Sequence, residues 1–421
     1  MKQLGKYAAA FLITVCAAVA LLFAGACLPQ SAIDENVKIS AEQLYQEGVY
    51  PVIGDKSFAG MLDNYTESLI LAESKAMSIR EPETVFTNPL FTYWEDAPME
   101  DLVEYANDGN PTPSSFYVRY WMGFRWLIRL ALTFLDYCQI RRYIAFAVVS
   151  LMAAVMCSIA KRTDTKLAFL FALSVILVRP YMIANCMQFS CCFLIAFVAM
   201  LEVPWVYENP KWERLFFMEL GMITMYFDFY TVPLITFGLP LVYLYALRGW
   251  NGESMKLKTI LKDLAVWFLA YGLMWLAKLV LTSLFTSVDA LSNGFNSLFG
   301  RLGVTRTEGY EDYYSPYLAL RNVFLTIAPD KEGIVVFALG AAAILGCFLF
   351  RAKRRGLAIE NFLEEKNLIL VALLPVIWFV ATAQPIAIHH WFQYRTIALS
   401  YWAAGVYMVL TLRKEHRQDP A

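Results

Sequence analysis

Residues 116–137 read FYVRYWMGFRWLIRLALTFLDY. The stretch is apolar enough to cross a bilayer, yet it carries Arg119, Arg125 and Arg129. Whether it crosses or lies flat sets the direction of everything downstream. Arg141 and Arg142 follow it, and further basic residues gather at 161–166, 211–214, 248–262 and 351–355. Cytoplasmic loops carry an excess of Lys and Arg. If 116–137 crossed, every later cluster would face outward. If it lies in the outer interface, the next span is 143–160 and those clusters fall inside. Arg125 and Arg129 stand four apart, on one face of a helix whose other face is Trp, Leu and Phe, the pattern of an interfacial helix. The flat placement is therefore expected, with Arg125 and Arg129 snorkelling to lipid phosphates.

Composition supports a membrane setting on both sides of this stretch. Of 421 residues, 59% are hydrophobic and 17% charged, against about 45–50% and about 25% in soluble domains. Residues 7–28 form a first span behind Lys2 and Lys6; Ala24, Gly25 and Ala26 would suit a signal-peptide cleavage site, but a retained anchor is expected. Residues 29–118 hold 16 acidic and 4 basic residues, a net −12, and belong outside. Further spans are expected at 143–160, 167–184, 187–204, 215–230, 231–247, 264–285, 333–350, 367–386 and 396–412, each near the ~20 residues a bilayer requires. The expected fold is an all-α polytopic bundle of about ten spans, one membrane domain over 1–421. Both termini would be cytoplasmic in the cell membrane. A second outer loop covers 286–331.

Several chemistries are excluded. A net charge of −1 offers nucleic acid no basic surface. Cys16, Cys157, Cys191, Cys192 and Cys347 sit in apolar runs, where cysteine serves as a small hydrophobe. No CxxC pair, Gly-rich phosphate loop, HExxH or Asp-x-Asp is present, so no zinc or nucleotide motif is readable.

Charged groups next to a bilayer are costly and therefore informative. At the outer face these are Asp63 and Glu67, Arg119, Arg125 and Arg129, Arg179, Asp228, Lys278, and the run His389-His390-Trp391-Phe392-Gln393-Tyr394-Arg395. Acids and bases at one depth suit an anionic lipid headgroup, with arginine forks on phosphate oxygens. Structural readings stand beside these. Asn64 with Glu67 three later has the form of a capping box. Asp228 has tyrosines for neighbours, and the two histidines could anchor the interface beside Trp391.

The layout resembles the GT-C glycosyltransferases: one span, a long acidic outer loop with an Asp before a helix, a flat amphipathic helix, then many spans. The passages Asp63-Asn-Tyr-Thr-Glu67, Arg119-Tyr-Trp-Met-Gly123, 221–230 and 389–395 are similar to those of a bacterial membrane-protein group with that plan. The resemblance implies transfer of a sugar from a polyprenyl-phosphate donor to a cell-envelope glycan or protein. Asp63, with Glu67 a turn away, would be the catalytic acid group. Arg119, Arg395, His389 and His390 would hold phosphate, with Asp228 as a secondary catalytic candidate. Paired acids and a histidine are common in such enzymes where this chain has Asp63-Asn64 and Met122, which argues against a metal. No cofactor is expected, although a divalent metal stays open. Two other readings compete: a transporter or flippase for a lipid-linked or anionic solute, and a non-enzymatic scaffold for envelope assembly. The charges lie near one face, and the chain shows no internal repeat of the kind transporters carry.

Overall fold

A computed structural model describes residues 2–54, 57–92, 98–107, 112–305 and 311–413. The extreme ends, read as cytoplasmic, lie outside those residues. Among the described residues the protein is all-α apart from the short antiparallel strands β1 (Pro89–Leu90) and β2 (Ser115–Phe116). Helix α1 (Lys2–Ala26) leads into the first loop, which folds into α2 (Asp34–Glu47), α3 (Asn64–Ala76), the single turn α4 (Thr84–Thr87) and α5 (Pro98–Asn107). After α6 (Arg125–Leu132) come α7 (Tyr137–Arg162), α8 (Thr165–Ile176), α9 (Pro180–Ala184), α10 (Met187–Glu208), α11 (Glu213–Phe227), α12 (Leu234–Trp250) and α13 (Leu257–Phe285). The second loop and last helices are α14 (Ala290–Arg301), α15 (Pro316–Ile327), α16 (Lys331–Arg354), α17 (Ile359–Glu364), α18 (Lys366–Ala381), α19 (Ala383–Ile388), α20 (His390–Gln393) and α21 (Ala398–Arg413).

Among the described residues five helices, α1, α7, α10, α13 and α16, are long and apolar enough to cross a bilayer, against about ten expected. Two of the five missing spans have local causes, and α11 and α21 are helices of only 15 and 16 residues. The expected span 167–184 breaks after Ile176: Arg179 takes φ 61, a left-handed conformation, and Pro180 opens α9. The expected span 367–386 breaks at Thr382, φ −122, between α18 and α19. Helices α8, α12 and α18 remain as shorter apolar helices. Val335, Val336, Leu339 and Ile344 of α16 are exposed, a surface suited to lipid and costly in water.

Helices α11 and α13 cross closely because Gly221 has no side chain; a Cβ there would stand 2.3 Å from the Trp267 carbonyl oxygen. Trp267 and Trp402 are fully enclosed in the bundle core. A second core joins α1, the first-loop helices and α6.

Helix α6 is amphipathic in the manner expected, with Leu127 and Leu130 exposed. Its arginine face does not snorkel to lipid phosphates. Arg125 is 0% and Arg129 1% exposed, covered by the folded first loop. Arg125 donates to the carbonyls of Thr84 (3.3 Å) and Val85 (2.7 Å). Arg129 donates to those of Gly25 (3.0 Å), Ser74 (2.7 Å) and Lys75 (3.0 Å). Helix-terminal carbonyls lack intrahelical partners and attract cations, so the two guanidinium groups close the ends of α1, α3 and α4 together. From α13, Lys278 reaches the same region and donates to the Phe86 carbonyl.

Candidate functional site

Asp63 is placed by the start of α3. Its carboxylate accepts from the Thr66 amide (3.1 Å) and hydroxyl (3.0 Å), which makes Asp63 the N-cap, one residue ahead of the cap expected at Asn64. Asn64 instead is buried, donating to Glu47 (3.0 Å) and the Gly48 carbonyl (2.9 Å) and accepting from Arg141 (2.9 Å). Arg141 also pairs with Glu47 at 2.7 Å. Helices α2, α3 and α7 are thereby locked at the base of Asp63.

Asp63 lies on the wall of a cavity of about 600 Å³. The same wall includes Arg119 ahead of α6, Gln188 at the start of α10, Arg301 at the end of α14, and His389 and Trp391 at the α19–α20 junction. Asp63 is only 4% exposed. Burial pushes its carboxyl up to about 6, against the two Thr66 hydrogen bonds that favour the charged form. Burial, with Arg301 and His390 nearby, pushes His389 down to about 4. An uncharged imidazole and a readily protonated carboxyl therefore face one space near neutral pH.

The cations cluster at one side. Arg119 donates to the Ser297 hydroxyl at 2.8 Å and lies 4.8 Å from the Tyr117 ring centre. Arg301 donates to the Tyr120 hydroxyl and lies 5.3 Å from the Tyr230 ring centre. A second cavity of about 590 Å³ adjoins here, lined mostly by apolar side chains of α13 and α14 such as Phe268, Leu273 and Phe295. Arg119, Tyr230, Ser297 and Arg301 belong to the walls of both cavities.

The structure brings Asp63, Arg119 and His389 together and leaves Glu67, Asp228, His390 and Arg395 off the cavity wall. Glu67, fully buried, accepts from the Met187 and Gln188 amides (2.9 and 3.0 Å), the Cys186 thiol (3.3 Å) and the Tyr137 hydroxyl. It serves as an anion at the N-terminus of α10, where the helix dipole favours one. Asp228 accepts from the Tyr230 and Thr231 amides, both at 2.9 Å, and so holds Tyr230 at φ 73. The Nδ1 of His390 stands 2.7 Å from the Thr326 hydroxyl. Arg395, 1% exposed, donates to the Trp391 (3.1 Å) and Ala59 (3.3 Å) carbonyls and lies over Phe189.

Sequence reasoning missed Arg301 and Gln188 as wall residues, and took Trp391 only as a neighbour of the histidines. Arg301 lies in a loop of mixed charge with nothing to distinguish it, and Gln188 sits in an apolar run. Met122, noted where the resembling enzymes carry histidine, does reach the wall. Among the described residues no three His, Cys, Asp or Glu gather where a metal ion could be held. No protein-family model, no curated protein and no solved structure matches this chain.

Proposed function

We propose that the chain is a membrane glycosyltransferase of the GT-C kind, moving a sugar from a polyprenyl phosphate to a cell-envelope acceptor. One observation carries this reading: a polar cavity holding a buried acid shares a wall of two arginines with an adjoining apolar groove. A lipid phosphate fits that join, with its isoprenoid chain in the groove and its phosphate on Arg119 and Arg301. Ten crossings complete the picture, with α8–α9 and α18–α19 each a single broken crossing, both termini cytoplasmic and the cavity outside.

In the reaction an acceptor hydroxyl passes its proton to ionised Asp63 and its oxygen bonds to the anomeric carbon. The bond from that carbon to the phosphate oxygen breaks, and the electron pair leaves on the phosphate. Arg119 and Arg301 are positioned to hold the charge that grows there. Arg301 stays a guanidinium cation and is oriented by its hydrogen bond to the Tyr120 hydroxyl. Arg395 and His390 brace the wall through Trp391 and Thr326. The first test is transfer by the purified chain in lipid nanodiscs, with a panel of polyprenyl-phosphate sugars and envelope glycans. Arg301→Ala should lower kcat/KM by about 10²-fold or more, the scale seen when one charge-stabilising donor is removed. Arg301→Lys should recover little, since an ammonium cannot present a planar fork. Full activity in Arg301→Ala would remove the reading.

A further inference from the structure

Four non-glycine residues have positive φ among the described residues, and two of them, Met122 and Tyr230, line the cavity. Tyr230 lines the apolar groove as well. A tyrosine at φ 73 holds a sparsely used and costly conformation, one that lasts only where its surroundings impose it. Here they impose it from both sides. The Asp228 carboxylate accepts from the Tyr230 and Thr231 amides, both at 2.9 Å, and from the Thr231 hydroxyl. The Tyr230 carbonyl accepts from Nε2 of Gln393 at 3.0 Å. Asp228 and Gln393 are both enclosed, and hydrogen bonds away from water hold more firmly.

This backbone sets the Tyr230 side chain against two neighbours. Its ring packs on Trp378 with centroids 5.5 Å apart, and the Arg301 guanidinium lies over it at 5.3 Å. An ordinary negative φ at residue 230 would send the ring in another direction. Arg301 also lies over the Tyr120 ring at 5.6 Å and donates to the Tyr120 hydroxyl. Among the described residues no carboxylate pairs with Arg301. That difference matters at an anion site. A carboxylate would hold the guanidinium but cancel its charge, whereas an aromatic face attracts a cation through its quadrupole and leaves the net charge in place. The two tyrosine rings therefore steady Arg301 while its charge stays available to a phosphate.

Resting on the lipid-phosphate reading of the cavity and groove, we infer that Tyr230 is a positioning residue acting through Arg301, and that Asp228 acts through Tyr230. Asp228 fixes the left-handed turn between α11 and α12, the turn aims the ring, and the ring seats the guanidinium at the join. Asp228 thus serves recognition of the phosphate from behind the wall, without touching the substrate.

The test uses the full chain in nanodiscs and reads its affinity for a bare short-chain polyprenyl phosphate beside the matching uncharged polyprenol. The ratio of the two reports the phosphate contact, because damage to the fold or the groove weakens both. Tyr230→Leu should lower the ratio by about tenfold, the scale of a desolvated cation–ring contact, while Tyr230→Phe, which keeps the ring, should stay within about twofold. Asp228→Asn keeps one of the two acceptor oxygens and should lower the ratio by about threefold. In an Arg301→Ala background none of these substitutions should move the ratio further, as a residue acting through another requires. The inference is overturned if Tyr230→Leu or Asp228→Asn leaves the ratio unchanged, if Phe loses as much as Leu, or if the losses persist without Arg301. A native chain that fails to bind the phosphate, or binds the alcohol as tightly, would instead remove the lipid-phosphate donor itself. A native preference that survives Tyr230→Leu would remove this inference alone.

Discussion

As the N-cap of α3, Asp63 accepts two hydrogen bonds that favour its charged form, while burial opposes it and raises its pKa to about 6. An acceptor of protons must be ionised, so turnover should fall as pH drops below about 6, by about tenfold per unit in kcat/KM. Because His389 is pushed down to about 4, that acid limb belongs to the carboxyl, and His389→Gln should leave it in place. Stability runs the opposite way. Between the ordinary carboxyl value of 3.8 and about 6 the folded chain binds the proton more tightly than the unfolded chain. Its contribution to stability therefore declines as pH rises through that window. Asp63→Asn should flatten this slope in Tm measurements, keep the cap, and lower transfer by about 10²–10⁴-fold; full transfer in that variant would exclude Asp63 as the base. The resemblance, not local pattern, singled out Asp63, which the structure places both on the cavity wall and at the cap of α3. Its partner cations were only half legible, since Arg301 reaches the site through tertiary placement.

Helix starts organise the elements around the site, and local pattern misreads one of them. Glu67 three residues after Asn64 has the look of a capping box, but its amide partner Met187 lies 120 positions away. No short-range rule can see such a bond. Glu67→Leu would leave the Met187 and Gln188 amides unpaired at a cost of about 1–3 kcal/mol each. The expected outcome is a clear drop in Tm in detergent, with kcat per folded molecule changed only a few-fold; a kcat loss matching that of Asp63→Asn would restore Glu67 to the chemistry. Helix α6 is the converse case. Spacing showed that Arg125 and Arg129 share a face, but periodicity cannot say what covers a polar face. Here it is the folded first loop and its carbonyls.

For the whole molecule, hydropathy located the apolar segments well and their continuity poorly. Average hydropathy over a window does not register a residue such as Arg179, held left-handed ahead of a proline. The ten-crossing reading makes a direct prediction about sidedness. With native thiols removed, a cysteine placed at Arg354 should resist an impermeant reagent in intact cells, and labelling there would refute the reading. The first loop is held by groups that arrive late in the chain: Phe86 accepts from Lys278, 192 positions on, and Ala59 from Arg395, 336 positions on. Read in the order of synthesis, the loop emerges early and waits for its anchors, as contacts of such separation must form late. A chain ending after α18 should therefore leave residues 57–62 open to added protease, while the full chain resists it there. The wall that carries Asp63 is finished only when the ribosome has passed residue 395, so no shorter product of synthesis can hold a completed site.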